Sequence, residues 1–181
     1  VEFQPAERGV GLEQAEHYVR GCAGAAPVYA AAVAALGSRC GLIGMVGSDA
    51  FGVFAHRTLV DIGVDVRLLR TDLHGHTSMA FTAYDAQGHR SYIRAHSAGI
   101  RFFPDDIDAG YCGACRVLHF PGTTLWISHS SQRAVSRAIG FARRRNALVM
   151  CDLNLRPQML AIPESLSIVM GSATEDLAAE R

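Results

Sequence analysis

A parallel α/β sheet covered by helices on both faces, with a small antiparallel β lid at its edge, is the architecture the sequence predicts. Three observations carry it. Strand-like and helix-like segments alternate along most of the 181 residues, the pattern of a three-layer α/β/α domain. Between about residues 64 and 94 the pattern changes to a period of two, which marks half-exposed strands. Hydrophobic residues make up 49% and charged residues 19%, enough apolar surface for a buried core. With no internal repeat or low-complexity linker, residues 1–181 are expected to form a single partial domain. Its lid strands fall at about 1–20 and 64–98, and its α/β core at about 21–63 and 99–181.

The elements follow in order. Val1–Pro5 reads as the tail of a strand that starts before the chain does. Residues 26–36 are predicted helical, because alanine has the highest helix propensity and Pro27 falls in the first turn, where proline is tolerated. This helix is apolar almost all round, so it belongs between layers, and Gly37 stops it. Residues 39–46 form a short apolar run bounded by glycines, a buried strand. Phe51–Ile62 is a second helix, ended by Gly63. Val64–Arg70, Thr77–Asp85 and Arg90–Arg94 are the lid strands, with Asp85–Gly88 as a turn. Acids in Pro104–Asp108 suit a helix start. Val117–Phe120 and Ala147–Leu153 are strands that flank a helix at Ser131–Asn146. Ser167–Met170 is a further strand, before a helix that starts near Thr174.

Composition narrows the function classes. The 17 basic and 17 acidic residues balance, and no basic run exceeds Arg143–Arg145, so no nucleic-acid partner is expected. Every basic residue is an arginine, which excludes lysine-based covalent chemistry. No apolar run reaches the length of a membrane span. Five cysteines scattered through apolar segments suit a reducing compartment, and a cytoplasmic location is expected.

Six places have side chains with chemical potential. The turn Ala23–Gly24–Ala25–Ala26 opens a helix, where free N–H groups and small residues admit a ligand; the alternative is a turn that only permits tight packing. The stretch Gly44-Met-Val-Gly47-Ser-Asp49-Ala-Phe51-Gly52 lacks the Lys-Ser/Thr of a phosphate loop and the spacing of a dinucleotide fingerprint. Asp49 is therefore expected to cap the next helix and Phe51 to anchor it. Tyr92 and Arg94 share one face of a strand, as a binding pair or as an exposed lid surface. Asp152, Asn154 and Arg156 follow a buried strand at its C-terminal end, where ligands of open α/β sheets gather. Ser172-Ala-Thr-Glu175 reads as a helix cap followed by acids. Cys112-Gly-Ala-Cys115 has half of a zinc spacing, with nothing nearby to complete a site, so no metal site is assigned.

The order Gly21–Gly52, together with Asp152-Leu-Asn154-Leu-Arg156-Pro157, resembles the PfkB (ribokinase-like) carbohydrate kinases, closest in flavour to 2-keto-3-deoxygluconate kinases. The resemblance implies the N-terminal and lid portion of a ribokinase-like fold, truncated at both ends. It implies ATP-dependent phosphorylation of a sugar or keto-deoxy sugar acid, with ATP and Mg²⁺ serving the complete enzyme. By the same resemblance, Gly24, Ala25, Tyr92, Arg94, Asp152, Asn154 and Arg156 bind the small-molecule substrate, and Glu175 lies near the nucleotide and Mg²⁺. Ala23 stands where the family has a glycine and Val28 where it has a sugar-binding asparagine. Lids pair between subunits in this family, which implies a homodimer through Met79, Phe81 and Ile93.

The catalytic aspartate of the family sits in a Gly-Ala-Gly-Asp segment at a helix start, and no such segment occurs up to Arg181. No catalytic residue is therefore assigned, and the isolated chain is expected to be catalytically incomplete. Two alternatives stand beside the kinase portion: a non-catalytic fragment that binds a sugar acid or dimerises, and a degraded gene remnant with an unpaired sheet edge.

Overall fold

A computed structural model of the chain describes residues 1–95 and 97–154. The described residues divide into two compact units, one ending at Arg101 and the other starting at Phe102.

In the first unit, strands β1 (Glu2–Pro5) and β2 (Tyr18–Gly21) form an antiparallel hairpin. Helix α1 (Ala25–Ala35) and strand β3 (Gly41–Gly47) lie within two residues of their predicted bounds. Helix α2 (Ala50–Ile62) is capped by Asp49 and ends on Gly63, whose φ of 93° lies in the left-handed region that glycine adopts without strain. Strand β4 (Asp65–Asp72) then pairs in parallel with β3. Its alternation points to the lid, but its hydrogen bonds place it in an α/β pair instead. Exposed Arg67, Arg70 and Thr71 interrupt its apolar positions and imitate a lid strand. β5 (Met79–Tyr84) and β6 (Arg90–Ala95) are the antiparallel hairpin expected around Asp85–Gly88.

The lid sheet has the order β2-β1-β5-β6. It differs from an all-antiparallel lid at one joint, because β1 and β5 run parallel. The Phe3 and Phe81 rings stack across this joint at 5.0 Å, and Tyr18 meets Phe81 edge-on at 5.8 Å. The core of this unit gathers Ala30, Leu42, Val46, Ala55, Leu59, Val64 and Leu69 from α1, β3, α2, β4 and the link that precedes β4. The helices of a parallel pair close over its apolar residues in this way.

In the second unit, the acids after Pro104 start only a 3₁₀ turn (Pro104–Asp106), and the helix α3 (Ala109–Gly113) is capped by Asp108. Strand β7 (Val117–Pro121) leads through a 3₁₀ turn (Gly122–Trp126) into helix α4 (His129–Arg143) and strand β8 (Leu148–Asp152). β7 and β8 are parallel, as a β-α-β crossover requires. Phe120, Leu125, Val135 and Ile139 form its core. The strand expected at Ser167–Met170 and the helix start near Thr174 lie outside the described residues. No helix among the described residues is long and apolar enough to cross a membrane.

Candidate functional site

The glycine-rich stretch after β3 is a structural joint. Asp49 Oδ1 accepts hydrogen bonds from Phe51 N (3.0 Å), Gly52 N (2.8 Å) and Thr77 Oγ1 (2.8 Å), and its Oδ2 accepts from Thr77 N (2.7 Å). Thr77 Oγ1 in turn accepts from Gly47 N at 3.0 Å. Burial alone would raise the Asp49 carboxyl, but the hydrogen bonds from Thr77, Gly52 and Phe51 together outweigh it and hold the group below the ordinary 3.8. Backbone crowding explains the glycines. A Cβ on Gly47 would overlap the Gly75–Thr77 backbone, and one on Gly52 would overlap the Gly47 carbonyl. Phe51 meets Phe3 of β1 edge-on at 5.2 Å, so the helix is anchored to the lid sheet as its motif suggests.

Beside this joint, Asp72 is 8% exposed at the end of β4. Its Oδ1 accepts from His74 N at 2.9 Å, and its Oδ2 lies 3.5 Å from Arg101 Nε. Ala98 N donates to the His76 carbonyl at 2.8 Å, and His76 N to Ser97 Oγ at 2.9 Å. The segment that leaves β6 is thereby stapled to the loop before β5.

Gly24 is the N-cap of α1, with φ 117° and ψ 145°, a conformation closed to L side chains without strain. No side chain caps this helix, so its first-turn N–H groups have no side-chain acceptor from the cap residue. Val28, in the first turn, is 55% exposed. Where the resemblance leads to an amide that grips a hydroxyl, the helix presents an isopropyl group.

Tyr92 and Arg94 come together on the outer strand of the lid. Both are exposed, and the Arg94 guanidinium lies 5.6 Å from the Tyr92 ring centroid. Arg90, absent from the sequence-based candidates, lies closer to the same ring at 4.5 Å. Its signal was present in the alternation Arg90-x-Tyr92-x-Arg94, since residues two apart share a strand face.

In the second unit, Asp152 ends β8 opposite Pro121 of β7. Its Oδ1 accepts from Asn154 N at 3.0 Å, which folds the chain back in an Asx turn with Asn154 at φ 44°. Gly122 fits because a Cβ there would sit 2.5 Å from the Leu153 carbonyl oxygen. His119 shares the strand face of Asp152; burial lowers its pKa, and the Asp152 carboxylate opposes that shift. Asp152 and Asn154 are thus brought together, whereas Arg156 and Glu175 lie outside the described residues. Cys115 Sγ donates to the Cys112 carbonyl at 2.9 Å, and burial, with Cys115 and Asp108 nearby, pushes the Cys112 thiol up to about 11. These are inert thiols.

Residues 1–177 match the pfkB family carbohydrate kinase profile. The 2-dehydro-3-deoxygluconokinase of Thermoproteus tenax is 33% identical over 152 residues, which cover 82% of this chain and 46% of that protein. The 5-dehydro-2-deoxygluconokinase of Geobacillus kaustophilus (strain HTA426) is 32% identical over 167 residues, 91% of this chain and 50% of that protein. Among solved structures, a PfkB protein from Polaromonas sp. JS666 superposes with a TM-score of 0.82 at 29% identity, over 98% of this chain and 59% of that one. An E. coli protein assigned as a ribokinase II, in complex with ATP and Mg²⁺, gives 0.86 at 27% identity, over 93% and 55%. The chain spans about half the length of the curated relatives it matches. With its glycine-aspartate joint, its lid hairpin and the acid at the end of β8, this chain has the ribokinase-like α/β fold and belongs to the pfkB family of carbohydrate kinases.

Proposed function

We propose that the chain is the sugar-binding and lid portion of an ATP-dependent kinase for a keto-deoxy sugar acid. The observation that carries this reading is the exposed Arg90–Tyr92–Arg94 array on β6. A guanidinium matches a carboxylate in a planar, two-pronged geometry that a neutral sugar does not call on. The relative named 2-dehydro-3-deoxygluconokinase supports the same class of ligand. Gly24 and Ala25 offer an open helix end for hydroxyl groups, and the Asp152–Asn154 turn offers an acceptor at a strand end.

ATP and Mg²⁺ would supply the transferable phosphoryl group and its charge neutralisation. No group of three metal-ligating side chains lies together among the described residues, and the sequence has no Gly-Ala-Gly-Asp segment, so no described residue is assigned to hold either group. The roles assigned are therefore binding and orientation, with no transfer step. A second reading is a chain that binds the sugar acid without transferring phosphate, which the Arg90–Tyr92–Arg94 array would serve equally well.

Calorimetric titration of the 181-residue chain with 2-keto-3-deoxygluconate and with fructose tests the proposal. Binding of the acid and not of the neutral sugar is expected, with Arg94→Gln weakening it about tenfold. Equal binding of the two, or none, would reject it. ATP titrated beside the acid separates the two readings: ATP that shifts the affinity for the acid supports the kinase portion, and affinity indifferent to ATP supports the fragment.

A further inference from the structure

The lid hairpin contains a buried hydroxyl that the fold leaves unused. Thr82 is 3% exposed on β5, and its Oγ1 has no hydrogen-bond partner. It lies directly opposite Tyr92 in the antiparallel register, with Tyr84 opposite Arg90 and Ala80 opposite Arg94. Opposed residues of an antiparallel pair share a face, so Thr82, Arg90, Tyr92 and Arg94 all lie on one side of the sheet. The other side holds Phe81, stacked on Phe3.

Valine would serve the packing of β5 without an orphaned hydroxyl, and a threonine kept dry and unpaired calls for an explanation. Two guanidiniums meet at the Tyr92 ring, and neither has a carboxylate partner among the described residues. The acid on the same face, Glu2, is two strands away from Arg94 and accepts from Gln4 Nε2 at 3.0 Å. Like charges placed side by side above a polar atom that lacks a partner form a surface suited to an anion.

We propose that Thr82 and Arg90 are specificity residues of the lid's sugar-acid site. Arg90 is the second cation for the carboxylate, and Thr82 Oγ1 is a hydrogen-bond partner that a small rotation of Tyr92 uncovers. This rests on the sugar-acid reading above and narrows it, since Thr82 and Arg90 are assigned to the ligand's anionic end. An arriving carboxylate turns the cost of the unpaired hydroxyl into binding selectivity, because ligands without an acceptor there leave it unpaired.

Thr82→Val removes the hydroxyl at nearly constant volume, and Arg90→Gln removes the charge. Titration with 2-keto-3-deoxygluconate is expected to show about fivefold to twentyfold weaker binding for each. The ligand-free Thr82→Val chain is expected to melt no lower than the parent, which separates lost contact from lost folding. Unchanged affinity in both variants, with Arg94→Gln still weakening binding, would overturn this inference and leave the sugar-acid reading standing. A parent chain that binds no sugar acid would overturn both.

Discussion

Both carboxylate oxygens of Asp49 are engaged, three donors on Oδ1 and one on Oδ2. Two of these donors open α2 and the other two belong to Thr77, 28 residues away, so one side chain caps a helix and fastens a loop. Asp49→Ala is expected to cost about 2–4 kcal/mol in urea unfolding, since a cap is lost and the Thr77 N–H is stranded. Asp49→Asn should cost less, because one oxygen still accepts while the new amide cannot accept from Thr77 N. Hydrogen bonding holds the Asp49 pKa below 3.8, so its stabilisation is complete above that value and is lost as pH falls through the folded pKa. Melting temperature followed downward from pH 5 should fall more steeply for the parent than for Asp49→Asn. The cap was legible from the motif, because aspartate before a helical run is a local signal. Thr77 was not, because nothing in its neighbours announces a partner so far along the chain.

At the level of single elements, the strand ends of the second unit hold the clearest dependence. Gly122 leaves room for the Leu153 carbonyl and so lets the Asp152–Asn154 turn close over β7. Gly122→Ala should lower stability by about 1–3 kcal/mol through overpacking, read in urea unfolding. In the first unit, Arg101 faces the buried Asp72 carboxylate at 3.5 Å. Arg101→Gln should destabilise by about 1–3 kcal/mol, and Asp72→Asn in the same chain should recover part of the loss. Most helices and strands were readable from period and glycine placement, within a few residues. β4 was not, because arginines on its wet positions mimic the alternation of a lid strand, and only its ladder with β3 assigns it. The acids after Pro104 likewise begin a 3₁₀ turn, and the α-helix waits for the cap at Asp108.

Across the whole molecule, two expectations concern assembly and catalysis. Phe81, one of the residues proposed for a lid-to-lid contact, is occupied by Phe3 and Tyr18 of its own sheet. Ile93, opposite Phe81 in the register, remains 59% exposed on β6, so the proposed homodimer would use this outer strand. Sedimentation of the parent chain should show a dimer and Ile93→Glu a monomer; a monomeric parent would reject the contact. The 181 residues alone are expected to transfer no phosphate from ATP to 2-keto-3-deoxygluconate, since no aspartate stands behind a Gly-Ala-Gly turn to take the hydroxyl proton. Product above background in a coupled assay would contradict that. Period, caps and glycine spacing are local properties, so the residues themselves specified the helices, the buried strands and the family. The grouping of side chains depends on which strands lie next to which. The four donors on Asp49, the place of β4 and the unpaired Thr82 hydroxyl on the same sheet face as two arginines therefore became visible only once the chain was folded.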